Sequence, residues 1–217
     1  MIAFLRPLLA PTARQVLRDR FEPREIRQIL GDAFSDYDRQ RESLPHVEQT
    51  GPRWMVRLAA LTAGFYRSLL QSGLTETEAR RRTAEMTWLV YDKMAAVPWG
   101  LARVLSRKPY GQLKRATDLF RRFPFRAPSY DMVDVPAERG VVAFDVRRCP
   151  VAEYLSGEGL SELCVEAWCN LDVPLAEKWG ARLERTGTLA QGSDRCDFRW
   201  RLKVAPSISC TPTRSET

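Results

Sequence analysis

The hydrophobic period changes between the two halves of this chain, and that change bounds what it can fold into. Up to about residue 130, apolar residues recur at spacings of three and four. From Ala181 to Lys203 they recur at every second position. A helix buries a stripe and a strand buries a face, so the pattern predicts an α+β fold: a helical N-terminal half, then a strand–helix–hairpin half with an antiparallel sheet. The expected division is a helical region over 1–130, an α+β, site-bearing region of the same domain over 131–204, and a disordered tail over 205–217 in which Cys210 has no role.

In the first half, Pro23 splits residues 12–30 into two helices, because its ring and missing N–H are poorly tolerated inside one. Residues 32–41 continue helically, with Phe34 and Tyr37 on one face, and 43–52 reads as a loop from its Pro and Gly content. A long helix is expected over 54–70, with Met55, Leu58, Ala59, Phe65 and Leu69 on its apolar stripe and Gly73 as its stop. Thr75 and Glu78 match a capping box opening a second helix to about Ala96, antiparallel to the first. Residues 97–126 interleave Arg103, Arg107, Lys108, Lys114 and Arg115 with apolar residues, and Pro109 and Gly111 divide them into two short amphipathic helices.

Residues 124–136 read as a Pro-bearing connector, and 140–147 as a strand ended by Cys149-Pro150. Helix spacing returns over 160–171, with another turn from Pro174 to Trp179. Leu183, Arg185, Gly187 and Leu189 then share one strand face, and Glu184, Thr186 and Thr188 the other. Residues 191–194 supply the turn, and the return strand alternates Cys196, Phe198, Trp200 and Leu202 against Asp197, Arg199, Arg201 and Lys203.

Bulk properties exclude several classes. No apolar run reaches the roughly 18 residues of a membrane span. The first eleven residues, broken by Arg6 and Pro7, do not read as a secretory signal. Five cysteines at irregular spacing match no disulfide framework or zinc finger, so reduced thiols in the cytoplasm are expected. The chain carries 34 Lys and Arg against 27 Asp and Glu, and the basic excess lies in residues 1–130. That excess is either a solvated helix face or, through residues 97–126, a peripheral contact with an anionic membrane or a protein. The aromatics there suit a packed helix side better than base stacking, so no nucleic-acid partner is expected.

Thiols, a carboxylate and guanidinium groups recur at element ends in the second half. Cys169 and Asp172, three apart on a helix, project from one face. Cys149 closes a strand, and Arg185 and Arg199 can each hold a carboxylate bidentately. Thr186 and Thr188 offer hydroxyls. Four pieces carry a likeness: Arg148-Cys149-Pro150, Cys169-Asn170-Leu171-Asp172, the run 185–190, and Gly192 with Cys196-Asp197-Phe198-Arg199. Together, over about 141–202, they resemble the L-2-amino-thiazoline-4-carboxylic acid hydrolase family.

That resemblance implies hydrolytic opening of a small cyclic amidine such as a 2-aminothiazoline carboxylate, with no cofactor and no metal. It puts Cys149, Cys169 and Asp172 in catalytic positions, and Arg185, Thr186, Thr188, Cys196 and Arg199 around the substrate. Either Cys149 or Cys169 would attack the amidine carbon while Asp172 positions water, and Arg185 or Arg199 would hold the carboxylate. Plainer readings stand beside these. Cys164 reads as a small buried hydrophobe, Cys196 equally as core packing, Asp172 as a cap for the turn at Pro174, and His46, the single histidine, as a surface loop residue. Two other classes stay open. One is a non-catalytic domain similar to the 4-vinyl reductase type, whose cysteines with Asp172 shape a ligand pocket or hold a metal ion. The other is an accessory protein that docks a partner or membrane through its basic helices.

Overall fold

The computed structural model describes residues 5–203. The tail expected over 205–217, with Cys210, lies outside the described residues. Among the described residues eight α-helices and four strands follow one another: α1 (Arg6–Leu17), α2 (Pro23–Gln40), α3 (Thr50–Gln71), α4 (Glu76–Leu105), α5 (Pro109–Arg122), β1 (Asp131–Asp134), β2 (Val141–Arg148), α6 (Pro150–Gly157), α7 (Ser161–Ala167), α8 (Asp172–Lys178), β3 (Ala181–Glu184) and β4 (Cys196–Leu202). The strands form one antiparallel sheet in the order β1-β2-β4-β3. The fold is the expected α+β.

Local chemistry explains most boundaries. Pro23 takes the first position of α2, where its missing N–H costs nothing, and Glu25 reaches back to the Glu22 N–H at 2.8 Å. Thr75 caps α4 by accepting the Glu78 N–H at 3.3 Å. Gly73, at φ +88°, stops α3 as expected. Gly64 allows α2 and α3 to touch through their backbones: a Cβ there would stand 2.7 Å from the Ala33 carbonyl oxygen. The start of α3 differs from expectation, since Gly51 and Pro52 lie in its first turn. A Cβ at Gly51 would meet the Pro124 carbonyl oxygen at 2.6 Å, so this glycine serves a close approach rather than a loop.

Four further differences bear on the site. Helix α4 does not end near Ala96 but runs through Pro98 to Leu105, leaving α5 as the one separate helix over 97–126. Ala95 and Ala102 are fully buried and Trp99 stacks on Trp179 at 5.8 Å, and this packing offsets the cost of about 3 kcal/mol for an interior proline. The connector after α5 contains β1, paired with β2. The helix expected over 160–171 breaks at Trp168, where φ is −134°, and resumes as a 3-10 turn over Cys169–Leu171 that leads into α8. The long hairpin is truncated at Glu184. The Asp197 carboxylate accepts the N–H groups of Thr186 at 2.9 Å and Gly187 at 3.1 Å, and so holds that backbone away from strand pairing. Thr188 caps a second 3-10 turn over Leu189–Gln191.

Two cores result. The helical core joins α1, α2, α3, the first half of α4, α6 and α7. The sheet core packs the second half of α4 with α5 and α8 onto the inner face of the sheet. Leu155, Leu163 and Leu175 are fully buried, each contributing about 1.5–3 kcal/mol relative to exposure. Met94, Phe125, Cys149 and Leu189 pack against both cores, and α4 passes through both.

Candidate functional site

A cavity of about 120 Å³ opens where the two cores meet. Strand alternation supplies its floor. Phe144 and Val146 of β2 face Phe198 and Cys196 of β4 in direct register. The rings of Trp99, Trp179, Trp200, Phe198 and Phe144 follow one another at centroid spacings between 5.0 and 6.4 Å. Tyr91 from α4, Phe120 and Arg121 from α5, and Phe125, Tyr130 and Met132 from the following segment form further walls. Trp168 and the ends of α6 and α7 complete the lining. The volume suits one small ring, by comparison with the roughly 150 Å³ apolar cavity that accepts benzene.

Cys149, Cys169, Asp172, Arg185 and Cys196 all line this cavity, and so does Cys164. Cys149 caps α6, its sulfur accepting the Ala152 N–H at 3.5 Å. Cys169 and Asp172 lie not on one α-helix, as expected, but on a 3-10 turn and the first residue of α8. Side chains three apart eclipse in such a turn, so both still reach the cavity. Arg185 follows β3 with its side chain only 8 % exposed. Its Nη2 donates to the Cys169 carbonyl oxygen at 3.0 Å, its Nη1 stands 3.5 Å from Asp172 Oδ2, and its Cζ lies 5.4 Å from the centre of the Phe198 ring. The Tyr91 hydroxyl donates to Asp172 Oδ1 at 2.9 Å.

Thr186, Thr188 and Arg199 do not line the cavity. Arg199 projects from the other face of β4 and donates to Asp145 at 2.9 Å. The Thr186 hydroxyl donates to Asp197 at 2.8 Å. Thr188 is buried behind the wall, capping the Leu189–Gln191 turn with its hydroxyl beside the Cys169 sulfur. Among the described residues no group of three or more His, Cys, Asp or Glu side chains is placed to hold a metal ion. Cys149, Cys169, Cys196 and Asp172 therefore do not form the cation cage considered above.

The four thiols differ in acidity. Burial pushes Cys149 up to about 12 and Cys196 up to about 11, although backbone N–H groups partly stabilise each thiolate. Cys164 is also pushed up, because its proton is shared with the Cys169 sulfur and because it is buried. Cys169 moves the other way: the Cys164 thiol donates to it, and the Arg185 guanidinium favours its charge. Burial raises Asp172 to about 6, against the opposing pull of Arg185 and Tyr91.

The polar accounting singles out this place. Among the described residues six buried side-chain nitrogen or oxygen atoms lack a conventional hydrogen-bond partner. Five of them belong to residues lining the cavity: Arg185 Nη1, the indole nitrogens of Trp168, Trp179 and Trp200, and Tyr130 Oη, whose hydroxyl meets only the Cys149 sulfur. Folded proteins leave few such atoms unmade, so their concentration in one lining distinguishes this cavity as the candidate site.

A model of the L-2-amino-thiazoline-4-carboxylic acid hydrolase family matches residues 73–200, more than half of the chain. The chain belongs to this family. Every residue lining the cavity, from Tyr91 to Trp200, falls inside the matched segment. No curated protein and no solved structure matches the chain. For this member of the hydrolase family, sequence reasoning missed Tyr91, Tyr130, Cys164 and the three tryptophans, since a ring at helix or strand spacing reads as core whether or not a cavity lies beside it.

Proposed function

We propose that the protein hydrolyses a small cyclic amidine carboxylate of the 2-aminothiazoline-4-carboxylate type, with Cys169 as nucleophile. What carries the reading is the meeting of Cys169, Asp172 and Arg185 in one donor-lined cavity within the family segment. Arg185 Nη1, unpaired apart from its 3.5 Å approach to Asp172, receives the substrate carboxylate. The flat ring lies among the aromatic faces, and its polar edge takes the unpaired indole donors.

The Cys169 sulfur attacks the ring carbon held between nitrogen and sulfur. A Cys169–carbon bond forms, the carbon–ring sulfur bond breaks, and the released sulfur takes a proton from solvent, which is returned when Asp172 passes on the proton it accepts from water in the next step. Water held by Asp172 Oδ2 then adds to the same carbon as the Cys169–carbon bond breaks. The oxygen becomes the carbonyl of an N-carbamoyl cysteine, the remaining proton settles on the former ring nitrogen, and the Cys169 thiolate is restored. Asp172, held by Tyr91, is ionised above about pH 6 and can then accept the proton of that water.

The test is turnover of 2-aminothiazoline-4-carboxylate followed by thiol release, with mass spectrometry of the enzyme during turnover. Cys169→Ser is expected to lower kcat by at least about 10³-fold, on the order of 4 kcal/mol, whereas Cys149→Ser and Cys196→Ser stay within about tenfold. An adduct on Cys149, or full activity of Cys169→Ser, overturns the assignment. Tight binding of the compound by the wild type without turnover would favour the ligand-binding class instead.

A further inference from the structure

The hairpin of α4 and α5 has two unlike sides. Its inner side, with Tyr91, Thr117, Phe120 and Arg121, walls the cavity. Its outer side holds an apolar stripe at helix spacing on the last turns of α4: Val97 is 65 % exposed, Leu101 50 %, Val104 85 % and Leu105 57 %. Tyr110, at the start of α5, is also exposed. Between Lys93 and Thr117 the chain carries five cations and no carboxylate. Of these, Lys114 pairs with Asp118 at 2.9 Å, while Arg103, Arg107, Lys108 and Arg115 have no acidic partner among the described residues.

We propose that this outer side seats the protein on an anionic lipid surface. The four aliphatic side chains enter the headgroup boundary while Arg103, Arg107, Lys108 and Arg115 meet the lipid phosphates. Charge decides among the occupants. A second copy on a self-complementary interface would set these cations against one another. A nucleic acid would satisfy the cations and leave the aliphatic stripe in water. No helix among the described residues is long and apolar enough to cross a membrane, so the contact is peripheral. Docking in this way sets one wall of the cavity against the lipid, and it stands whether or not the cavity hydrolyses a thiazoline.

The experiment is co-sedimentation of the full chain with vesicles of phosphatidylglycerol and phosphatidylcholine, and with phosphatidylcholine alone. Binding is expected to the anionic vesicles only, and to fall steeply with added salt. Val104→Glu is expected to abolish it without moving the thermal unfolding midpoint, since the side chain is exposed. Replacing Arg103, Arg107 and Lys108 by Gln should weaken it about fivefold per cation, on the order of 100-fold together. Equal binding to both vesicle types, no binding to either, or a Val104→Glu variant that binds like the wild type overturns the proposal. So does a wild-type dimer that Val104→Glu converts to a monomer, or retention on duplex DNA in place of vesicles.

Discussion

The two faces of β4 treat polar groups in opposite ways. On the outer face Arg199 meets Asp145 at 2.9 Å, Arg195 approaches the same carboxylate at 3.4 Å, and Arg201 reaches both Glu184 and Glu138 at 3.1 Å. Asp197 is filled by Thr186 and Gly187. On the inner face the Trp200 indole, like those of Trp179 stacked on it and Trp168 elsewhere in the cavity lining, has no partner among the described residues, and Arg185 Nη1 has only a long ion contact. Selection for stability alone would produce the reverse, because a buried unpaired donor costs about 1–3 kcal/mol whereas water would serve an exposed one. The inner face thus concentrates buried donors that its own side chains do not pair, whereas the outer face pairs its charges within the sheet.

The largest effect that can break this contrast is on stability. Trp179 is 1 % exposed and joins the rings of Trp99 and Trp200. Trp179→Ala is expected to cost about 3–5 kcal/mol in denaturant unfolding. Arg201→Ala on the outer face, with its partly exposed ion pairs, should cost about 1 kcal/mol or less. Comparable losses at the two positions would mean that the outer network, rather than the ring stack, holds the sheet.

Kinetics sharpens the same contrast with the two arginines that the sequence offered as equals. Arg185→Gln removes a charged donor from the cavity and is expected to raise KM for a carboxylate substrate about 10- to 150-fold, the equivalent of 1.5–3 kcal/mol. Arg199→Gln is expected to leave KM within about twofold, since that guanidinium is spent on Asp145 across the sheet. A large KM change at Arg199 would place the substrate on the wrong face.

That pair also illustrates what sequence could and could not supply. Alternation placed Cys196, Phe198 and Trp200 opposite Asp197, Arg199 and Arg201, and this division holds along β4. Cys149, Cys169, Asp172 and Arg185 stood out as polar groups at element ends, and they share one cavity. Alternation could not be extended across residues 185–188, because the Asp197 side chain takes the N–H groups of Thr186 and Gly187 and ends β3 early. Strand β1 was hidden because Asp131-Met132-Val133-Asp134 is too short and too polar to show a period. Tyr91 was hidden because nothing in the spacing of its helix marks one ring as polar in role, and it stands some eighty residues before the Asp172 that it meets. Cys164 read as a packed hydrophobe and is buried, yet its thiol is the donor that makes Cys169 the acidic member of the set.

Asp172 gives the contrast a pH dependence. Its pKa of about 6 lies above the ordinary aspartate value near 3.8, so between these values the folded protein binds more protons than the unfolded chain. The neutral acid favours folding, and that contribution is whole below about pH 3.8 and lost as pH rises through 6. Asp172→Asn keeps the neutral form at every pH. It should match the wild type near pH 3.5 and exceed it by up to about 3 kcal/mol at pH 8, while turnover is lost. A variant less stable than the wild type at pH 8 would show instead that the ionised pair with Arg185 holds the cavity together.

The smallest effect separates two neighbouring threonines. Thr186 gives its hydroxyl to Asp197 on the outer face, and Thr188 caps the Leu189–Gln191 turn beside Cys169. Each hydroxyl contributes a similar hydrogen bond, so Thr186→Val and Thr188→Val should each cost about 1 kcal/mol. Only one of them touches the acidity of the thiol. Among the four described cysteines, alkylation by iodoacetamide near neutral pH, read residue by residue by mass spectrometry, should fall first on Cys169, because Cys149, Cys164 and Cys196 are all held protonated. Thr188→Val removes a group that favours the Cys169 thiolate and should slow that modification, whereas Thr186→Val should leave its rate unchanged. Equal slowing in both variants would trace the effect to general loosening of the 185–195 connection, and the distinction between the two faces would then reach no further than the strand itself.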